Sequence, residues 1–103
     1  MAHRRYEITL PTQYNDGRPI EPEKLLITRS EIAGRFGAFT FLPNPAHGQW
    51  TGGKMHHEDV TRLVTDVEDT AENRAFFVTL KKRLKKRFKQ DEIWMVSYEI
   101  EII

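Results

Sequence analysis

The densest run of residue types able to do chemistry is His56-His57-Glu58-Asp59. On a strand, alternate residues share a face, so His56 would pair with Glu58 and His57 with Asp59. Either pair could give two ligands to zinc or manganese, with a third from His47 or His3. The His-Glu-x-x-His pattern is absent. Adjacent histidines without a spaced third partner read equally well as an exposed polar hairpin, so no metal and no cofactor are expected. A second grouping centres on residues 43–54, Pro-Asn-Pro-Ala-His-Gly-Gln-Trp-Thr-Gly-Gly-Lys. Here His47, Trp50 and Lys54, joined by His56, His57 and by Tyr14 from an earlier connection, would give an aromatic wall with a few polar groups. That is the make-up of a small-molecule pocket. The competing reading has Trp50 folding back to pin the segment to the core. Ser30 and Ser97 are the only serines, and neither lies in a nucleophile elbow. Gly52-Gly53 lacks the spacing of a phosphate-binding loop. Asp66, Glu68 and Asp69 flank a turn, where capping and solubility explain them.

The third grouping is basic. Residues 81–89 read Lys-Lys-Arg-Leu-Lys-Lys-Arg-Phe-Lys and carry seven positive charges, while the other 94 residues hold nine basic and fifteen acidic side chains. The formal charge of +1 is thus a cancellation between a strongly positive segment and a negative remainder. If Leu80, Leu84 and Phe88 face a core, then Lys82, Arg83, Lys85, Lys86 and Lys89 fan over the solvent side, with Lys81 and Arg87 flanking the apolar stripe. Such a face could meet the phosphates of a nucleic acid, pair with an acidic surface of a second copy, or simply be solvated at the favourable end of a helix dipole.

These groups must be positioned by one small domain, residues 1–103. Hydrophobic residues at 39% and charged residues at 30% describe a folded, soluble chain and exclude a disordered one. There is no apolar run long enough to span a membrane and no signal-peptide pattern behind Met1. Cysteine is absent, which removes disulfides, thiol catalysis and cysteine-ligated metals. A cytoplasmic protein with no membrane partner is expected.

Along the chain, Tyr6, Ile8 and Leu10 alternate with Arg5, Glu7 and Thr9, the pattern of a half-buried strand over 3–10. Tyr14 to Pro19 is a turn rich in Asn, Asp and Gly. Pro22 opens a helix that runs to about Phe36, with Gly37 at a left-handed C-cap. Ala38 to Leu42 form a short strand and 43–54 the longest loop. The next strand starts near Met55 or Val60 and ends at Val67. Asp69 or Thr70 caps a second helix, with Asp69 and Glu72 at capping-box spacing and a stripe of Phe76, Phe77, Leu80, Leu84 and Phe88. Glu92 to Ile103 is the last strand. Trp94, Val96, Tyr98, Ile100 and Ile102 point one way, and Ile93, Met95, Ser97, Glu99 and Glu101 the other.

The order β-α-β-β-α-β predicts an α+β, ferredoxin-like fold: a four-stranded antiparallel sheet with two helices on one face. The open face is expected to inherit Ile93 and Met95, with Phe39 or Phe41. An apolar open face needs a cover, so a homodimer is expected.

The stretches Glu7-Ile8-Thr9-Leu10-Pro11, Tyr14-Asn15-Asp16-Gly17, Arg35-Phe36-Gly37-Ala38-Phe39-Thr40, Gly48-Gln49-Trp50 and Ile93-Trp94-Met95-Val96-Ser97-Tyr98 resemble small uncharacterised bacterial proteins of similar length and ferredoxin-like layout. The resemblance implies the fold and carries over no catalytic or binding residue. Stress-related dimeric α+β barrel proteins are a second analogy at the level of fold. Three functions stay open: a non-enzymatic dimeric binding protein, a small enzyme or small-molecule binder using the 43–54 segment, and nucleic-acid binding through 81–89.

Overall fold

A computed structural model describes the backbone of residues 2–37, 40–51 and 54–103, and the side chains of 2–37 and 60–103. Its elements are β1 (His3–Pro11), α1 (Pro22–Phe36), β2 (Thr40–Thr51), β3 (Lys54–Glu68), α2 (Ala71–Arg87) and β4 (Trp94–Ile100). None of its described helices is long and apolar enough to cross a membrane.

Each helix is bounded by local chemistry. Pro22 sits in the first turn of α1, where its missing N–H costs nothing. Gly37 closes the helix at φ 79°, its N–H bonded to the Ala33 carbonyl at 2.7 Å. Glu21 stands at the N-cap but gives no side-chain cap, because its carboxylate accepts from Tyr14 instead. At α2 the capping-box expectation is corrected. Arg4 Nε holds the Asp69 carboxylate at 3.0 Å, and Thr70 is the cap, accepting from the Asn73 N–H at 3.2 Å. Thr70→Ala should therefore cost about 1 kcal/mol, measurable as a lower urea midpoint with unchanged slope. A midpoint equal to wild type would show that another group caps the helix.

All strand pairs are antiparallel, in the order β2-β3-β1-β4. The expected four-stranded platform is nevertheless corrected. The layer on which the described core is built is three strands wide, β3-β1-β4. Pairing of β1 with β3 ends at Pro11 opposite Val60, since proline has no N–H to extend a ladder. The rest of β3 continues with β2 alone, as far as Thr51 opposite Lys54. Only the rows through Arg62, Leu63 and Val64 of β3 run across all four strands. The long loop expected over 43–54 is corrected by the same observation. Residues 43–51 belong to β2 and Lys54 opens β3, with a pairing irregularity between Asn44 and His47. An outermost strand tolerates Pro43 and Pro45 because only one of its edges must be paired.

The core joins Tyr6, Ile8 and Leu10 of β1 to Leu63 and Val67 of β3, Ile32 of α1, and Phe77, Leu80, Leu84 and Phe88 of α2. Tyr6 stacks on Phe77 with ring centroids 3.8 Å apart, and Phe36 stacks on the far side at 5.4 Å. This aromatic pile seats the β1–α1–α2 junction, and both described helices contribute to the core on that one face of the sheet.

Candidate functional site

Directly paired residues in an antiparallel ladder share a face, so the register decides what the uncovered face displays. Ile8 is a core residue and pairs with Met95. Met95 therefore packs toward the core, and Ile93, 1% exposed, belongs to it. The expectation that Ile93 and Met95 lie on the open face is corrected. The polar partners on that strand are explained by Arg4, which stands on the helix side. Its Nη1 donates to Ser97 Oγ at 3.2 Å and its Nη2 lies 3.7 Å from the Glu99 carboxylate.

The open face instead carries four rows, each read from β3 through β1 to β4. They are Glu68-His3-Ile100, Asp66-Arg5-Tyr98, Val64-Glu7-Val96 and Arg62-Thr9-Trp94. Arg5 grips Asp66 with two bonds of 2.7 and 3.0 Å, the bidentate geometry that strengthens such pairs. Its guanidinium holds the Asp66 carboxyl below its ordinary value. The Tyr98 hydroxyl donates to Glu7 at 3.2 Å. Arg5 with Asp66 and Glu7 with Tyr98 thus satisfy one another, and the exposed large apolar side chains described on the face collect on β4. Trp94 is 66% exposed and Tyr98 42%, while Val96 and Ile100 are partly covered. They form a column along a sheet edge, and Ile102, itself 62% exposed, follows just beyond the strand. Large exposed apolar side chains aligned in this way mark an interaction surface.

The basic segment is more neutral than its sequence. Glu31 of α1 lies 3.0 Å from Arg83 and 2.5 Å from Arg87, and Arg87 also donates to Thr28 Oγ1 at 2.8 Å. Glu92 takes Lys81 at 2.9 Å and Lys85 at 3.5 Å, and these lysines hold its carboxyl below the usual range. Arg83, on the solvent side as expected, and the half-buried Lys85 are each paired there with a carboxylate. Among the described residues Lys82, Lys86 and Lys89 make no ion pair. The first two are exposed on α2, and Lys89 follows the helix at φ 53° with its ammonium 5.3 Å from the Tyr14 ring.

Tyr14 is buried, at 6% exposure. Its hydroxyl donates to Glu21 and accepts from Lys24, while Arg18 lies 5.3 Å and Lys24 4.9 Å from the ring centre. The Asp16 carboxylate accepts from the Arg18 N–H at 3.0 Å and Gly17 takes φ 88°, which closes the turn that delivers Tyr14. Tyr14 thus joins the β1–α1 turn to the end of α2. The Tyr14 hydroxyl, above all, holds the Glu21 carboxyl down to about 2 from 4.5. A depressed carboxyl contributes stability that is fully present above its unfolded value and lost as pH falls through its folded one. Wild type is therefore expected to weaken as pH drops from 4.5 toward 2, and Glu21→Gln to flatten that slope in urea midpoints taken against pH. Parallel slopes for the two proteins would contradict this linkage.

The other members of the expected small-molecule site are His47, Trp50, Lys54, His56 and His57. They fall on β2 and β3 at the positions His47 opposite Glu58, Gly48 opposite His57, Gln49 opposite His56, Trp50 opposite Met55 and Thr51 opposite Lys54. Their side chains lie outside the described residues, as does the metal reading of His56 to Asp59. Among the described residues no group of three or more His, Asp or Glu side chains could hold a metal ion. Sequence reasoning missed three features here: the β4 column, the Glu31 clamp and the carboxylate of Glu21. Only the first had a signal, the alternation of Trp94, Val96 and Tyr98, and its face depended on a register that local sequence does not encode.

No family model and no curated protein matches the chain. Solved structures do. A phage SAM lyase in complex with S-methyl-5′-thioadenosine is 16% identical, with 97% of this chain and 90% of that one covered and a TM-score of 0.63. CutA1 from Oryza sativa is 12% identical over 99% and 83%, at a TM-score of 0.63. GlnK of B. subtilis in complex with ATP is 16% identical over 96% and 82%, at 0.62. At such identities the likeness is one of fold, and what it shows is that this chain is built as an α+β, ferredoxin-like domain.

Proposed function

We propose that the protein is a non-enzymatic binding protein that works as a homodimer, with the β4 column as its contact surface. The observation that carries this reading is the alignment of Trp94, Val96, Tyr98 and Ile100 along one uncovered edge of the sheet. Fully burying one such side chain is worth about 1.5–3 kcal/mol, so a column of four is a strong drive to associate. The described polar side chains support the same reading. Ser97 is bonded to Arg4, and Glu21, Glu31, Asp66, Asp69 and Glu92 are each paired with a cation. Sedimentation velocity over a micromolar concentration series tests the proposal: a species of twice the chain mass is expected, and a monomer at every concentration would overturn it.

A second reading is binding of an adenosine-containing small molecule. It is favoured by the ligands of two structurally similar proteins, S-methyl-5′-thioadenosine and ATP. Calorimetric titration with each compound would decide it. Saturable heat supports this reading, and no heat at millimolar ligand removes it.

A further inference from the structure

We propose that two copies pair antiparallel along their β4 edges, about a two-fold axis through Tyr98, so that Glu99 and Glu101 of each copy enter the cationic groove of the other. The inference rests on the dimeric reading above and supplies its geometry.

Three observations converge on it. First, β4 is the last strand in the order β2-β3-β1-β4, so one of its edges has no strand beside it. An unpaired edge is a template for another strand. Second, a groove of about 350 Å³ runs between that edge and α2, with Met95 and Ser97 on one side and Arg74, Val78, Lys82 and Lys85 on the other. It is apolar at its base and cationic along its wall. Lys82 has no ion pair among the described residues. Third, the segment that follows the groove in the chain has the complementary character. Glu99, Glu101, Ile102 and Ile103 are exposed, and 101–103 pair with no strand.

The alternation makes the edge self-complementary. With Tyr98 on the axis, Met95 lies opposite Glu101 of the second copy and Ser97 opposite Glu99. Trp94 lies opposite Ile102 and Val96 opposite Ile100. Directly opposed residues share a face. The two glutamates therefore fall on the helix side, against Lys82, Lys85 and Arg74. The isoleucines fall on the open side, where they extend the Trp94–Val96–Tyr98 column. A register odd by one residue would reverse this, placing glutamates beside Trp94 and isoleucines among lysines. The segment cannot satisfy the groove of its own chain, because it continues β4 away from Met95 and Ser97. The occupant is a second copy of this strand, and the product is one continuous sheet across the axis.

The test is a charge exchange read by sedimentation equilibrium. Glu101→Lys alone and Lys82→Glu alone should each raise the dimer Kd by at least about tenfold, because the repulsive contact occurs twice per dimer. The double variant Glu101→Lys with Lys82→Glu should return the Kd to within about threefold of wild type. Both side chains are exposed, so thermal melting of all three variants should match wild type in the monomer-dominated range. A dimer indifferent to the single changes, yet lost in Trp94→Arg, would overturn the edge pairing and leave the dimeric reading standing. Single changes that weaken the dimer without rescue by the double variant would also overturn it. A wild-type monomer would overturn both.

Discussion

Trp94→Arg is expected to convert the dimer to monomer at concentrations where the wild type is fully associated, while the fold and its melting behaviour as a monomer are kept. The side chain is two-thirds exposed at 66% and is not a member of the described core, so its replacement opens no buried cavity. Each dimer loses two indoles from its interface. At about 1.5 kcal/mol or more for each, Kd should rise by at least about a hundredfold. Arginine in place of tryptophan also sets a cation beside the apolar column, which cannot be buried without a partner. Far-UV circular dichroism should match wild type. An unchanged sedimentation coefficient would show that the β4 column is not the contact surface.

Phe77→Ala is expected to have the largest effect on stability. Phe77 is 1% exposed and sits within the aromatic pile, stacked between Tyr6 and Phe36 and edge-on to Phe76 at 5.2 Å. Truncating a buried phenylalanine costs about 3–5 kcal/mol through lost transfer energy and the cavity left behind. That is a large share of the 5–15 kcal/mol typical of a domain. The melting temperature should fall by at least about 12 °C. The neighbouring Val78→Ala is the control. Val78 is half exposed, and its change should stay within about 0.5 kcal/mol. Equal effects at the two positions would contradict the packing described here.

Much of the helical structure was legible because helix ends are written locally. Pro22 and Gly37 mark the bounds of α1 without reference to anything distant. The stripe from Phe77 to Phe88 follows from helical periodicity and is buried as expected. Tyr6, Ile8 and Leu10 likewise announce the buried face of β1. Where the reading failed, a distant partner had intervened. Asp69 has the spacing of a cap, yet Arg4, far away in the chain, claims its carboxylate. Arg83 and Lys85 read as part of a solvent-side fan, and only the fold places Glu31 and Glu92 beside them. The prolines and glycines of 43–54 suggested a loop, because nothing local says that a strand there need be paired on one side only.

By itself, then, the sequence determined the element order, the helix limits, the alternation of each strand and the polarised distribution of charge. These depend on backbone preferences and periodicities that span a few residues. The tertiary structure alone decided which face of β4 is open, in what order the strands pair, and which carboxylates meet Lys81, Arg83, Lys85 and Arg87. The period of a strand is two, so its sequence offers two equivalent faces. Only the pairing of Ile8 with Met95, between strands at opposite ends of the chain, chooses the one that puts Trp94, Val96 and Tyr98 on the open face.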